Sequence, residues 1–380
     1  MKNKSIKFNV PYLGREEARA VSSAIKLIKI VGNGALGQQC ESMLKNIFHA
    51  KYVLLTTSCT HALELALMAV NIRPNDEVIC PSFTFVSTAN AAVRHKAVPV
   101  FAEIDENTLN IDMEDIKKRI TKRTRAIVPV HYAGAACDMG GIMKIAKRKG
   151  IAVIEDAAHA IGAKYKNRFL GAIGDIGCFS FHATKNLTCG EGGAFLTSNN
   201  KYYKMAEIAR EKGTNRSAYL RGKVDKYNWI NEGSSYVLSD VLAAVLIEQL
   251  KKRDRIIKRR KRIFNYYLNA LKNLQDKGRV SLPRINRECE INGHIFYLRL
   301  NTEKERNHCI NELKKKGIEA TFHFVPLHTS PYGRKVLGYK KGDFPVTEKV
   351  SETILRLPIY PQLSQNELDF IIGSIGKILS

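Results

Sequence analysis

The sequence predicts an α/β fold: a mostly parallel, seven-stranded sheet with helices on both faces, followed by a smaller C-terminal α+β domain. Three observations predict it. Short apolar runs alternate with helix-period segments from residue 52 to residue 197. The runs are close to continuous in apolar residues, as strands covered on both faces are. After a long helical stretch at 239–274 the alternation stops and a different pattern begins. Repeated strand–helix units give a parallel sheet, and such sheets bind ligands beyond the carboxyl ends of their strands.

Each element follows from its residues. Segments 14–30 and 38–49 carry apolar positions at helical spacing on either side of the turn Gly32-Asn33-Gly34. Strands are expected at 52–56, 77–80, 98–103, 126–132, 151–156, 178–181 and 194–197. Helices between them are expected at 61–70, 88–94, 113–120 and 143–149. Beyond the long helical stretch, 293–299 and 319–325 read as strands, and 303–316, 347–355 and 365–379 as helices. The pattern divides the chain into a large domain, 1–254, and a small one, 255–380.

Composition narrows the function classes. The chain has 380 residues, 44% hydrophobic and 26% charged, the balance of a soluble globular protein. No apolar stretch is long enough to span a bilayer, and Met1-Lys2-Asn3-Lys4-Ser5-Ile6-Lys7 lacks a secretory apolar region. The expectation is a cytoplasmic protein that does not insert in membranes. None of the eight cysteines forms a CxxC pair and most lie in apolar runs, so buried reduced thiols are expected, not a disulfide framework or a zinc site. The net charge of +25 is spread along the chain. Its densest run, 251–262, alternates with apolar residues as a surface helix does, and no zinc-finger spacing, RNA-binding aromatic motif or long basic tail accompanies it. It reads as solvated helical faces, not a nucleic-acid site, although a positive field also attracts anionic substrates.

The chemistry gathers around Lys185. An apolar strand runs into the polar turn His182-Ala183-Thr184-Lys185-Asn186, and Gly190-Glu191-Gly192-Gly193 leads into the next strand. The neighbouring run Ile151-Ala152-Val153-Ile154-Glu155-Asp156 ends in an acid. A lysine and an aspartate at adjacent strand ends are what a pyridoxal phosphate enzyme needs: an amine to condense with the cofactor aldehyde, and a carboxylate to keep the pyridine nitrogen protonated. Thr56-Thr57-Ser58-Cys59-Thr60-His61 lies between a strand and a helix, where free backbone N–H groups suit a phosphate and a hydroxyl equally suits a helix cap. Of Phe83 and Phe85, which follow a strand end, Phe85 is the one assigned to stack on the cofactor ring. His131 and His159 fall at strand C-ends, and neither has companion ligands at metal spacing, so no metal is expected.

With these motifs in this order, the chain resembles the sugar-nucleotide aminotransferases of fold type I, the aspartate-aminotransferase-like fold, from about Phe8 to the C-terminus. The matching pieces include Pro129-Val130-His131-Tyr132-Ala133-Gly134, Glu155-Asp156-Ala157-Ala158-His159, Ser180-Phe181-His182 with Lys185-Asn186, and Pro326-Leu327-His328. The resemblance implies that Lys185 and Asp156 are catalytic. It implies that Ser180 and the backbone at Thr60 and His61 hold the cofactor phosphate, and that Phe85 and His159 lie against the ring. Ser235 would reach the cofactor phosphate of a partner subunit in a homodimer with shared active sites. Many members have Gln in place of His159 and Asn in place of Ser235. Members with histidine in place of the lysine are dehydratases, so the intact Lys185 implies transamination.

Within the family, residues 210–216, 224–227 and 233–236 are most similar to members that use L-glutamate to aminate C4 of dTDP-4-dehydro-6-deoxyglucose. The product is dTDP-4-amino-4,6-dideoxygalactose, for cell-surface polysaccharide. A UDP- or GDP-linked keto sugar, or a non-catalytic regulator on the same fold, are the alternatives. Substrate contacts are expected from Gly32, Asn33, His131, Arg216, Arg221, His323 and His328. The lysine amine must be neutral to move a proton, so its pKa should be depressed.

Overall fold

The computed structural model describes residues 5–26 and 30–379. Its central sheet has seven strands in the order Tyr52–Thr56, Gly193–Thr197, Ile176–Ser180, Ala152–Asp156, Thr124–Ile127, Glu77–Pro81, Val98–Ala102. Gly193–Thr197 runs antiparallel to both of its neighbours, and the remaining strands are mutually parallel. The α/β class with a mostly parallel seven-stranded sheet therefore stands.

The period-2 alternation of a strand explains why both faces are covered. Val53, Leu55, Ile79, Ile127 and Val153 pack into one buried cluster, shared with the helices Ala35–Phe48 and Asp240–Lys251. Leu54, Val78, Cys80, Ala126 and Ile154 face the other way, into a cluster shared with the helix Cys59–Ala69. A third cluster holds the C-terminal unit together: Phe264 and Tyr267 of Arg253–Asp276, Phe296 and Leu298 of Phe296–Arg299, Leu355 and Leu357 of Ile354–Leu357, and Ile371 and Ile375 of Gln365–Leu379. Ile6, from the other end of the chain, joins it by bridging Ile318.

Several boundaries differ from expectation, for identifiable reasons. The first helix is Arg15–Lys26 rather than 14–30, and residues 27–29 of that expectation lie outside the described residues. The expected strand 126–132 stops at Ile127, because Pro129 has no N–H to donate to the sheet. The single helix expected over 239–274 is two, Asp240–Lys251 and Arg253–Asp276. Lys252 sits at the break, its amine between Glu16 and Glu17 at 3.0 and 2.8 Å; the first helix packs in the sheet cluster and the second, beyond Ile256, in the C-terminal one. No strand forms over 319–325; Thr321 makes an isolated bridge to Arg356. The helix expected at 347–355 is Pro345–Thr353, and a strand, Ile354–Leu357, follows it. All eight cysteines are free, and seven are buried. Among the described residues no helix is long and apolar enough to cross a membrane.

Candidate active site

The C-terminal ends of the sheet strands and the C-terminal unit enclose a cavity of about 630 Å³. Asp156 ends its strand and projects into it. Its Oδ2 accepts from Thr88 Oγ1 at 2.8 Å and its Oδ1 from the Ala158 N–H at 3.1 Å. Thr88 in turn meets Thr84 Oγ1 at 2.9 Å, so the carboxylate is fixed by a short hydroxyl chain. Burial pushes the Asp156 pKa up, and those two donors and the charge of Lys185 only partly oppose it.

Lys185 follows the strand Ile176–Ser180 on a turn closed by Ala183 N–H to Gly190 O at 2.8 Å and Lys185 N–H to His182 O at 2.9 Å. No described residue hydrogen-bonds its amine. Burial pulls the lysine pKa down; Cys59 and Asp156 oppose this and Arg356 adds to it. The depression is in the direction that proton transfer requires. Ser180 borders the cavity from the same strand end.

Ser58 caps the helix Cys59–Ala69, its Oγ accepting from the His61 N–H at 3.1 Å. Cys59 and Thr60 then occupy the first helical positions, whose N–H groups have no intrahelical acceptor. Thr60 lines the cavity, its hydroxyl 2.8 Å from Ser87 Oγ. Gly193 is required here, since a Cβ on it would lie 2.4 Å from the Ser58 carbonyl carbon. Phe85 is 60% exposed and lines the cavity, whereas Phe83 is buried against Tyr132 and Phe324. His159 is buried with its Nδ1 unpartnered. Its ring lies 4.5 Å from that of His294, and burial holds its pKa well below the usual imidazole value, with Lys185 and His294 adding to the effect. His294 is steered by Asn186, the residue after Lys185, through Nδ1 at 2.8 Å. His323 closes this wall, with Nδ1 2.7 Å from Tyr132 Oη and its ring stacked on Phe324 at 3.7 Å.

The cavity thus gathers Thr60, Phe85, Asp156, His159, Ser180, Lys185 and His323 from among the expected residues. The others lie elsewhere. His61 does not line it: its ring tilts against Tyr236, its Nδ1 meets Thr57 Oγ1, and its N–H is taken by Ser58. His131 is fully buried, with Nε2 2.8 Å from Glu155 Oε2, and does not line the cavity. His328 is likewise buried between Ser82 and Glu348. Arg221 is spent on a two-pronged pair with Glu207 at 2.7 Å, and Arg216 on Glu211 at 3.0 Å. Asn33 also donates to Glu211, and Gly32 bridges Ser239. Ser235 is exposed, bridges Glu211, and lies outside its own chain's cavity.

Thr84, Thr88, His294 and Arg356 line the cavity and were not expected there. Arg356 had a legible signal: one arginine inside the apolar run Ile354-Leu355-Arg356-Leu357. The two threonines had none, because only the fold shows what their hydroxyls touch.

The sequence pattern of the DegT/DnrJ/EryC1/StrS aminotransferase family matches residues 11–376. An uncharacterised protein of Methanocaldococcus jannaschii is 40% identical over 97% of this chain and 96% of its own length. The spore coat polysaccharide biosynthesis protein SpsC of Bacillus subtilis is 36% identical over 100% of this chain and 98% of its own length. Among solved structures, a putative sugar aminotransferase of Streptococcus pneumoniae in its PLP form superposes with a TM-score of 0.91 at 27% identity, covering 99% of this chain and 100% of that one.

Proposed function

Because the chain belongs to the DegT/DnrJ/EryC1/StrS aminotransferase family, whose members are pyridoxal-phosphate-dependent sugar aminotransferases, we propose that it carries the amino group of L-glutamate to C4 of dTDP-4-dehydro-6-deoxyglucose. The product is then dTDP-4-amino-4,6-dideoxygalactose, made in the cytoplasm for a cell-surface polysaccharide. The observation that carries the reading is that an unpartnered lysine amine and an incompletely compensated carboxylate, Lys185 and Asp156, border one cavity.

The residues present fit pyridoxal phosphate. The orphaned Nδ1 of His159 awaits a polar partner, and the N–H groups of Cys59 and Thr60, which the Ser58 cap leaves free, suit an anion beside Ser180. The buried Asp156 carboxylate awaits a cation. In this reading Asp156 would face the pyridine nitrogen, with Thr88 holding the carboxylate in place. Ser180 and the backbone at Thr60 take the phosphate. Phe85 covers one ring face and His159 meets the ring hydroxyl. When bound, the cofactor supplies an electron sink for the carbon being deprotonated.

Lys185 has two tasks. Its Nζ would hold the cofactor aldehyde in the resting enzyme. As a free amine the same Nζ would take the proton from the donor α-carbon, and the lowering of its pKa by burial favours the neutral form that this needs. The apolar wall of Phe324 and Ile295 keeps water from the carbon. The half-reaction with the keto sugar uses the same groups in the reverse order, as one site serves two substrates in turn.

A second copy of the chain completes the site in this reading. Leu220, Tyr227, Trp229 and Ile230 are exposed on the segment that ends near Ser235, with Trp229 81% exposed. Covered by a partner, this segment would carry Ser235 toward the partner's cofactor phosphate. Sedimentation of the purified protein at twice the chain mass is the expected result.

The substrate is tested by incubating the protein with pyridoxal phosphate, L-glutamate and either dTDP-4-dehydro-6-deoxyglucose or its UDP- and GDP-linked counterparts. Mass spectrometry reads the replacement of the keto oxygen by an amino group, and NMR coupling at C4 reads the galacto configuration. Amination of a UDP or GDP sugar in preference to the dTDP sugar would overturn the substrate while leaving the aminotransferase in place.

A further inference from the structure

His294 and His323 border the cavity, and a buried side chain behind each ring engages one of its nitrogens. The two partners differ in kind. His323 Nδ1 lies 2.7 Å from Tyr132 Oη. Tyr132 is buried and wedged against Phe83, Tyr297 and Phe324, and its N–H donates to Asn110 Oδ1 at 2.9 Å. Among the described residues its hydroxyl has no other partner, and a buried hydroxyl proton needs an acceptor. The hydroxyl therefore donates to Nδ1. In a neutral ring the imidazole proton is then on Nε2.

Asn186 imposes the reverse on His294. Its Nδ2 donates to Asn292 O at 3.1 Å, which fixes the orientation of the amide, so Oδ1 is the atom 2.8 Å from His294 Nδ1. An amide oxygen only accepts, so Nδ1 carries the proton and Nε2 is bare. The backbone behind the ring is pinned as well. His294 N–H donates to Asn292 Oδ1 at 3.1 Å, and Asn292 Nδ2 donates to His159 O and Ile161 O at 2.7 and 2.9 Å. Both rings are neutral, since burial above all, then cations such as Lys185 and Arg356, hold each well below the usual imidazole value. Neither Nε2 has a hydrogen-bond partner among the described residues.

We propose that Tyr132 and Asn186 are positioning residues that lock His323 and His294 in opposite tautomers, so that the cavity meets a sugar ring with one N–H donor, at His323 Nε2, and one bare nitrogen acceptor, at His294 Nε2. The inference rests on the aminotransferase reading above and adds to it how the sugar is read. A keto oxygen has lone pairs only and takes the His323 donor. A ring hydroxyl has a proton to give and takes the His294 acceptor. Carboxylate and phosphate oxygens have no such proton at neutral pH, so a bare ring nitrogen favours the sugar over the acidic parts of either substrate. Two neutral rings supply this choice without adding charge beside Lys185.

The test begins with long-range proton–nitrogen NMR of the full chain, isotopically labelled at the histidine nitrogens and saturated with pyridoxal phosphate. Protonated and bare ring nitrogens resonate far apart, and the two rings are assigned by the signals lost in His294→Gln and His323→Gln. His323 should be protonated at Nε2 and His294 at Nδ1. The same tautomer in both, or a charged ring in either, would overturn the proposal. Tyr132→Phe should release His323 into a mixture of tautomers, and Asn186→Leu should do the same for His294. Tyr297→Phe removes a neighbouring buried hydroxyl and should leave both signals in place. In turnover with L-glutamate and dTDP-4-dehydro-6-deoxyglucose, Tyr132→Phe should raise half-saturating keto sugar about tenfold, the scale of one lost neutral hydrogen bond. Half-saturating glutamate should change less, and kcat should hold. Equal changes for the two substrates, or a fall in kcat alone, would overturn the assignment to the sugar. If Asn186→Leu fails to fold, the wild-type spectrum and Tyr132→Phe decide. A protein that aminates no keto sugar yet shows the opposite tautomers contradicts the aminotransferase reading and supports the lock.

Discussion

Glu155 and Asp156 are consecutive on one strand, both carboxylates are buried, and they live opposite lives. Glu155 points away from the cavity and is saturated: His131 Nε2 meets Oε2 at 2.8 Å, and the N–H groups of Gly171, Ile173 and Gly174 donate to it at 2.7, 2.7 and 2.6 Å. Burial alone would raise its pKa, but His131 and those donors bring it below the ordinary glutamate value. Asp156 has two donors and its pKa goes up. The histidines divide in the same way. His131 is paired, and His159, three residues past Asp156, has a ring nitrogen with no partner. The difference teaches which buried polar groups are structure and which are site. A satisfied group has no need of a ligand, and an unsatisfied one at a strand end is kept for one.

The strongest way to break the comparison is to alter its cavity side. Lys185→Ala should remove the lysine-bound visible band and slow transamination on the order of ten-thousand-fold, with little change in melting temperature. Asp156→Asn should cut turnover on the order of 100- to 1000-fold, as the loss of one preorganised charge does. It should also abolish most of the melting-temperature rise that pyridoxal phosphate gives the wild type. Thermal melts with and without cofactor check both. An Asp156→Asn protein with unaltered turnover would collapse the distinction.

The sealed side should answer in stability. Glu155→Ala leaves His131 buried without its partner, and removing one member of a buried pair costs about 3–5 kcal/mol. Urea unfolding reads this, and the folded fraction should keep the visible band. The pH dependence has a definite sign. Glu155, depressed, contributes stability that is full above its unfolded pKa of about 4.3 and is lost as pH falls through the lower folded value. Burial opposes a charged His131, yet Cys137 and Glu155 raise its pKa to about 10. Its contribution is full below the unfolded value of about 6.5 and fades as pH rises toward about 10. Melting temperature against pH should therefore decline on both sides in the wild type and flatten in Glu155→Gln. Smaller still, Thr88→Val removes one donor from Asp156 and should weaken cofactor binding about tenfold, equivalent to roughly 1.4 kcal/mol. Arg221→Ala, which breaks a pair exposed on one side, should change stability by about 1 kcal/mol or less.

The sheet was legible because its strands are compact apolar runs, most of them followed by a helix, as 52–56 and 77–81 illustrate. The C-terminal unit was less so. Its two paired strands, Phe296–Arg299 and Ile354–Leu357, are four residues long and far apart in the chain, so 319–325 read as a strand and the start of Ile354–Leu357 was absorbed into a helix. In the site, position near strand ends pointed to Asp156 and Lys185, and the family resemblance to Ser180. It could not separate His131 from His159, since both follow strand ends and only packing reveals which ring is already paired. The arginines misled for the same reason. Arg216 and Arg221 stand in a polar stretch that supplies their partners, Glu207 and Glu211, from the preceding helix and its end.

One measurement bears most directly on the claim that the unsatisfied lysine and aspartate are kept for a cofactor. The purified protein is saturated with pyridoxal phosphate, and its visible absorption is recorded before and after L-glutamate, alongside Lys185→Ala. A yellow band that bleaches with glutamate in the wild type, and is missing from Lys185→Ala, is the predicted result. A wild-type protein that never develops the band, or a Lys185→Ala protein that shows and bleaches the same one, would contradict the account.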